Sequence, residues 1–338
     1  AGLLSHAPLT LAYYRSLEMQ QWVDEVLRLS PIRKVVVFSA AMAQYVMSAE
    51  GVLRVADLVD VDSDKWRQYA LAQRWPYSAL YKRESRTLLN YEREIARAFD
   101  ATSFVSEAEA DLFRKLAPEV ACKVWHVNNG VDAEYFSPER EYLNPYGQRQ
   151  RVVVFTGAMD YWPNVDAVVW FARKVLPTVH ARLPDALFCV VGARPTSEVT
   201  RLGECAGVRV TGTVPDIRPY IAHASLAVAP LRTARGVQNK ILEAMAMAKA
   251  VLASPQAAEG IEAQIGTDLL VASGAEEFAR RTSELLEQSG DCPVGAAGRA
   301  RVLRSYDWKQ NLKLFEKLLT SAAHGDDSPG VIRNGALC

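Results

Sequence analysis

The stretch 226–260, LAVAPLRTARGVQNKILEAMAMAKAVLASPQAAEG, constrains the fold more than any other part of the chain. LAVAP and AVLAS are short apolar runs, the first stopped by Pro230. Between them lies a segment of good helix formers, about 237–248. Strand, helix, strand in that order is a βαβ unit, so the two strands are parallel and buried. Positions 236, 239, 240 and 243 follow i, i+3, i+4, i+7 spacing, which puts Gly236, Asn239, Lys240 and Glu243 on one helix face. Val237, Ile241, Leu242, Met245 and Ala248 cover the rest of the helix surface. A helix that starts after a parallel strand presents free N–H groups and the positive end of its dipole. Such places bind phosphate. The same spacing also describes an ordinary solvated Lys240–Glu243 ion pair, which is common and weak. The apolar flanking strands, and Arg232 and Arg235 in the preceding loop, favour a ligand site.

Elsewhere strands and helices alternate. The opening AGLLSHAPLTLAYYRS has no strand before it, and SLEMQQWVDEVLRL reads as an amphipathic helix. Strands are predicted at 34–39, 53–60, 101–106 and 123–127, with a long helix over about 80–98. A polar, turn-rich stretch at 139–151 reads as an interdomain linker. A second series follows it, with strands at 151–157, 186–192, 208–212, 226–230, 250–254 and 268–272 and a helix over 164–182. Two βα series imply two doubly wound domains whose sheets face a cleft. The expected boundaries are 1–140 and 141–306, then a helix over 307–321 and a disordered tail over 322–338.

Composition narrows the function. Lys+Arg and Asp+Glu are 39 each, so no net field draws the chain to nucleic acid. The five cysteines (122, 189, 205, 292 and 338) show no CxxC spacing, so neither a zinc site nor a disulfide framework is indicated, and a cytoplasmic setting fits. No apolar run approaches the ~18 residues of a membrane span. A chain that starts with Ala rather than Met reads as a fragment.

The loops after the strands of the second series carry the chemistry, because ligands in doubly wound sheets sit beyond the strand carboxyl ends. These loops hold Gly157, Gly192, Thr213–Val214 and Gly236. Glycines there allow close backbone approach, though glycine also simply ends strands. In the first series, DVDSDKW (60–66) follows a strand. Asp60 and Asp62 form a DxD pattern, but Lys65 stands where a calcium loop needs glycine. The better reading is that Asp60, Asp62 and Lys65 are polar groups available to an acceptor, with no metal required.

Together these residues resemble a family. VFSAAMAQYV, VDVDSDKWRQYA, FVSEAEADLFR, NNGVDAEYFSP, FTGAMDYWPNVDAV and RGVQNKILEAMAMAKAVLAS are similar to family 4 of the glycosyltransferases, which are retaining enzymes of GT-B fold. Within it they resemble the sugar transferases associated with PEP-CTERM/exosortase exopolysaccharide systems. NGVD and EAMA are general features of the family, while DVDSDKW and RGVQNK are narrower. The resemblance implies an α/β GT-B chain whose N-terminal domain lacks its first strands, and a final helix that crosses back to that domain. It implies transfer of a sugar from a nucleotide-sugar donor to a glycan or lipid-linked saccharide. It implies no cofactor, and peripheral contact with the inner membrane. Three departures stand out. Glu243 matches the second glutamate of the family's Glu-x7-Glu pattern, but Arg235 stands at the first. The loop after the first strand of the second series reads Met159-Asp160-Tyr161-Trp162, without the usual cations, and AMAxG reads AMAKA. Arg235 and Lys240 are therefore expected to supply the positive charge. Glu243 is expected to hold the ribose and the backbone at Thr213 and Val214 to meet the base. Gly157, Gly192, Gly236 and Asn239 complete the donor site. A nucleotide-sugar epimerase or hydrolase, and a non-catalytic nucleotide-sugar-binding component of an export system, remain the alternatives.

Overall fold

The computed structural model describes residues 7–148, 151–288 and 292–321. They form two compact units, one of residues 7–128 with the segment 309–321, the other Asn129–Trp308. The expected tail at 322–338 lies outside the described residues.

The first unit holds β1 (Lys34–Phe38), β2 (Leu53–Val59), β3 (Ala101–Phe104) and β4 (Val124–His126), all parallel and in sequence order. Its core is Leu58, Leu88, Ile95, Phe99, Phe104 and Phe113, packed between the sheet and the helices Tyr77–Ala98 and Glu107–Leu116. Two buried carboxylates organise the turn after β2. Glu109 accepts from the Val61 amide at 2.7 Å, and Glu92 from the Ser63 amide at 3.1 Å and the Ser63 hydroxyl at 2.5 Å. Both acceptors satisfy N–H groups at the start of the helix Asp62–Ala72, where no intrahelical partner exists. The amphipathic helix Leu17–Leu29 forms as its periodicity requires, capped by Ser16, yet none of its residues is buried. Val23 and Leu27 touch the core, while Leu17, Met19, Trp22 and Leu29 face solvent.

The second unit holds β5 (Val152–Thr156), β6 (Leu187–Val191), β7 (Val208–Gly212), β8 (Leu226–Ala229), β9 (Val251–Ala253) and β10 (Leu270–Val271). They form one parallel sheet in the order β10-β9-β8-β5-β6-β7. β5, β6, β8 and β9 are apolar and buried along their length, as a sheet covered on both faces demands. The order reverses between β8 and β5, so the topological switch point, where such sheets leave a crevice, lies there.

Local differences from the predicted elements have local causes. The helix predicted over 164–182 is broken into Trp162–Trp170, a π turn Phe171–Val175 and Leu176–Arg182. Pro177 lacks an N–H and crowds the carbonyl one turn back, so the ladder widens there. The stretch read as a linker is bound to the second unit. The Tyr146 hydroxyl donates to the Tyr220 carbonyl at 2.8 Å, and Arg209 donates to the Pro145 carbonyl at 3.0 Å. The division between the units therefore falls at Asn128–Asn129 rather than at 140–141. Gly130 serves packing as well as turning: a Cβ there would lie 2.5 Å from the Trp308 ring. No described helix is long and apolar enough to cross a membrane.

Candidate functional site

The switch point gathers three elements. β5 ends at Thr156, and Gly157 follows with φ 151°, its amide donating to the Val191 carbonyl of β6 at 3.1 Å. Gly192 continues β6, and a Cβ there would lie 1.7 Å from the Gly157 carbonyl oxygen. The two loops therefore touch backbone to backbone, which only glycine at 192 permits. They are also laced together by the Met159 amide to the Ala193 carbonyl, at 2.8 Å. The third element is the helix Asn239–Ala246 after β8.

Lys240 joins these elements. Its ammonium donates to Asn164 Oδ1 at 2.7 Å and sits 4.8 Å from the centre of the Phe155 ring. Asn164 is buried in the first turn of the helix Trp162–Trp170, and its Nδ2 donates to the Ala158 carbonyl at 2.9 Å. A Cβ on Gly157 would come within 2.8 Å of Asn164 Nδ2 and 3.4 Å of Lys240 Cε. Gly157 thus keeps one side of the cation open to close approach.

The electrostatics follow from this enclosure. Burial pushes the Lys240 ammonium down to about 8, and Glu243 opposes the shift. Its hydrogen-bond partner is a neutral amide rather than a carboxylate, so the positive charge stays available to an incoming anion. Glu243 is raised by burial and lowered by Lys240, and no hydrogen bond or ion pair among the described residues engages it. The helix has no side-chain N-cap, and no acceptor among the described residues takes the amides of Val237, Gln238, Asn239 or Lys240. Free N–H groups, a dipole end and a desolvated ammonium thus converge at one helix start.

The loop leading into that helix is held from the side. Gly236 has φ 63°, and a Cβ on Gly260 would lie 2.4 Å from the Gly236 carbonyl oxygen. The buried Ser254 hydroxyl donates to the Leu231 carbonyl at 2.5 Å while accepting from the Ala257 amide at 3.2 Å. Gln238 Nε2 donates to the Arg235 carbonyl at 2.8 Å. The Arg235 guanidinium lies 3.5 Å from Glu259.

The structure therefore links Gly157, Gly192 and Lys240, with Glu243 one turn along the same helix. Gly236 lies just before that helix, and Asn239 is its exposed first residue. Thr213, exposed, and Val214, which packs on the core, follow β7 at the edge of the same sheet. In the first unit, Asp62 and Lys65 pair at 3.6 Å on the first turn of their helix, and Asp60 lies in the turn before it. Burial raises the Asp62 carboxyl, and Lys65 lowers it. Two residues escaped the sequence reading. Asn164 holds Lys240. Arg194, in the loop after β6, is bidentate to Asp160 at 2.6 and 3.2 Å, and lowers that carboxyl. Arg232, which the sequence reading counted with Arg235 toward a ligand site, instead grips Asp166 on the helix Trp162–Trp170. The Trp-Pro-Asn sequence after β5 was the available signal for Asn164, since proline in a first helical turn fixes where that helix begins.

Comparisons with known proteins agree with this fold. Residues 150–288 match the family model Glycosyl transferases group 1, which covers β5 to the helix after β10. A glycosyltransferase from Rickettsia africae superposes with a TM-score of 0.66 at 14% identity, over 92% of this chain and 82% of the other. Anabaena HepE in complex with UDP superposes with a TM-score of 0.65 at 16% identity, over 90% and 82%. A sucrose-phosphate synthase from Thermosynechococcus elongatus gives 0.68 at 15% identity, over 93% and 81%. These likenesses give the chain the GT-B fold, with a glycosyl transferases group 1 segment in its second unit. No curated protein matches it significantly.

Proposed function

We propose that the protein is a retaining glycosyltransferase of family-4 type, of the kind associated with PEP-CTERM/exosortase systems. It transfers a hexosyl group from a nucleotide-sugar donor to a glycan or lipid-linked acceptor in exopolysaccharide biosynthesis, in the cytoplasm and in peripheral contact with the inner membrane. The observation that carries this reading is Lys240, a desolvated ammonium held by a neutral amide beside the unpaired N–H groups of a helix start. Anabaena HepE, of the same fold, is seen with UDP-glucose as well as UDP.

In the reaction the anomeric C–O bond of the donor breaks, and its electron pair goes to the diphosphate. Lys240, Arg235 and the amides of residues 237–240 stabilise that charge as it develops. A bond forms from the acceptor oxygen to the anomeric carbon on the face the leaving group departs from, and the acceptor proton passes to the leaving phosphate oxygen. Gly157, Gly192 and Gly236 let backbone approach the diphosphate. Asn239 lies at the helix start, Glu243 accepts from the ribose hydroxyls, and the backbone at Thr213 and Val214 meets the base. Asp60, Asp62 and Lys65 serve the acceptor.

The test is product analysis with a panel of nucleotide sugars, with and without lipid-linked and oligosaccharide acceptors. Sugar on the acceptor with its anomeric configuration kept is the expected result. Free sugar or an epimer without acceptor identifies a hydrolase or epimerase instead. Donor binding with no turnover under any acceptor identifies a binding component.

A further inference from the structure

On the first unit, the turn between the helices Asp62–Ala72 and Tyr77–Ala98 projects Leu71, Trp75 and Tyr77 into solvent, Trp75 being 82% exposed. Aromatic contacts brace it from behind. The ring of Trp66 lies 5.8 Å from that of Tyr69 and 5.2 Å from that of Tyr81, and Tyr81 lies 6.3 Å from Tyr77. Beside the turn is an open cavity of about 400 Å³ lined by Pro76, Tyr77, Ala79, Leu80 and Arg83. Its volume is in the range of small-ligand sites.

The lining has a direction. Positions 76, 79, 80 and 83 follow i, i+3, i+4, i+7 spacing, so Pro76, Ala79, Leu80 and Arg83 form one stripe about 10 Å long, apolar at one end and cationic at the other. The Tyr77 hydroxyl and the Arg83 guanidinium are the only side-chain hydrogen-bonding groups among the described lining residues. A sugar or an extended peptide laid along the stripe would leave the polar groups on its inward side with few partners, at some cost. An aliphatic chain would not. The charge around the stripe is one-sided although the whole chain is neutral. Arg74, Lys82, Arg83 and Arg86 stand within 74–86 against Glu84 alone. Glu84 is buried, accepts from the Leu9 and Thr10 amides and the Thr10 hydroxyl at 2.8 to 2.9 Å and lies 3.8 Å from Arg83, which also donates to the Ala7 carbonyl at 3.2 Å, so one carboxylate faces four cations.

We propose that this cavity binds a phosphate-headed lipid of a bilayer, with its aliphatic chain along Pro76, Ala79 and Leu80 and its anionic head at Arg83 and Arg86. Trp75 and Leu71 enter the interfacial layer beside it, where an indole ring is favoured. The inference deepens the proposed function, resting on its lipid-linked acceptor, by assigning the surface that holds the lipid.

Co-sedimentation of the full chain with vesicles tests it. The chain should bind vesicles of three parts phosphatidylcholine to one part phosphatidylglycerol and not pure phosphatidylcholine, since anionic lipid supplies the head-group attraction. Ala79→Asp, at an exposed position, should lower binding to the level of pure phosphatidylcholine, and Trp75→Ala should weaken it about tenfold. Lys240→Ala should bind the mixed vesicles as the wild type does. No binding to mixed vesicles overturns the proposal. So does wild-type binding by both Ala79→Asp and Trp75→Ala, which would leave only diffuse charge attraction. Nucleotide binding takes no part in the measurement, so either failure leaves the donor site untouched.

Discussion

Lys240 is a cation kept close to the point of losing its proton. Burial disfavours the ammonium, and its pKa of about 8 lies well below the 10.5 of a solvated lysine. Between those two values the unfolded chain binds the proton that the folded chain has released, so this group's contribution to stability rises with pH across that window and is lost as pH falls through 8. For ligand binding the sign is opposite, because a phosphate needs the charged form. Nucleoside diphosphate affinity should therefore fall as pH rises from 7 to 9. Calorimetry at the two values reads it, and a wild-type affinity that stays level would show that Lys240 does not face the anion. Asn164 makes this arrangement possible. A carboxylate in its place would neutralise the cation and hold its proton on, removing both the pH response and the attraction for phosphate.

At the scale of elements, the contact between Gly157 and Gly192 joins the loops after β5 and β6. Gly192→Ala would drive a methyl into a carbonyl oxygen with no flexible side chain to yield. The loops must part, so the variant should lose nucleotide binding and unfold at a lower temperature, as a thermal melt with and without nucleotide would show. Glu92 governs the turn after β2. Burial raises its carboxyl to about 8, against the lowering by its Ser63 hydrogen bonds, and Asp62 and Glu109 add to the rise. A carboxyl with a raised folded pKa gives stability that is complete below its unfolded value near 4.5 and is lost as pH rises through 8. The wild-type melting temperature should drop between pH 5 and pH 8.5, and Glu92→Gln should flatten that slope. An unchanged slope in the variant would place the titration elsewhere. The strands were readable in the sequence because buried parallel strands are continuous apolar runs, as VVVF, LFCVV and LAVA show. The helix start at Lys240 was readable from its βαβ setting, and the GT-B fold from motifs such as NGVD and EAMA. Asn164 was not, because its role comes from two partners, one of them 76 positions away. The stripe read from spacing holds for Asn239, Lys240 and Glu243, but Gly236 lies before the helix with φ 63°, and spacing alone did not reveal that Lys240 turns to Asn164 while no side-chain hydrogen bond among the described residues engages the Glu243 carboxylate. The exposed helix Leu17–Leu29 shows the reverse limit, since amphipathic spacing names a face without saying what covers it.

At the scale of the whole molecule, two parallel sheets divide the proposed work. As proposed, the second unit would carry the donor chemistry at its switch point, and the first holds Asp60, Asp62 and Lys65 beyond β2. If the labour is divided so, Asp62→Asn should cut sugar transfer while nucleotide affinity stays within about twofold. Loss of nucleotide binding in that variant would reassign the turn. The central claim is that the second unit holds a nucleoside diphosphate against Lys240. It is tested most directly by calorimetric titration of UDP, GDP and ADP into the wild-type chain and into Lys240→Ala at neutral pH. A charge-assisted contact in a desolvated site is worth about 1.5–3 kcal/mol. The account predicts that at least one nucleotide binds the wild type and that Lys240→Ala weakens it about tenfold or more. Equal dissociation constants for the two proteins would contradict it.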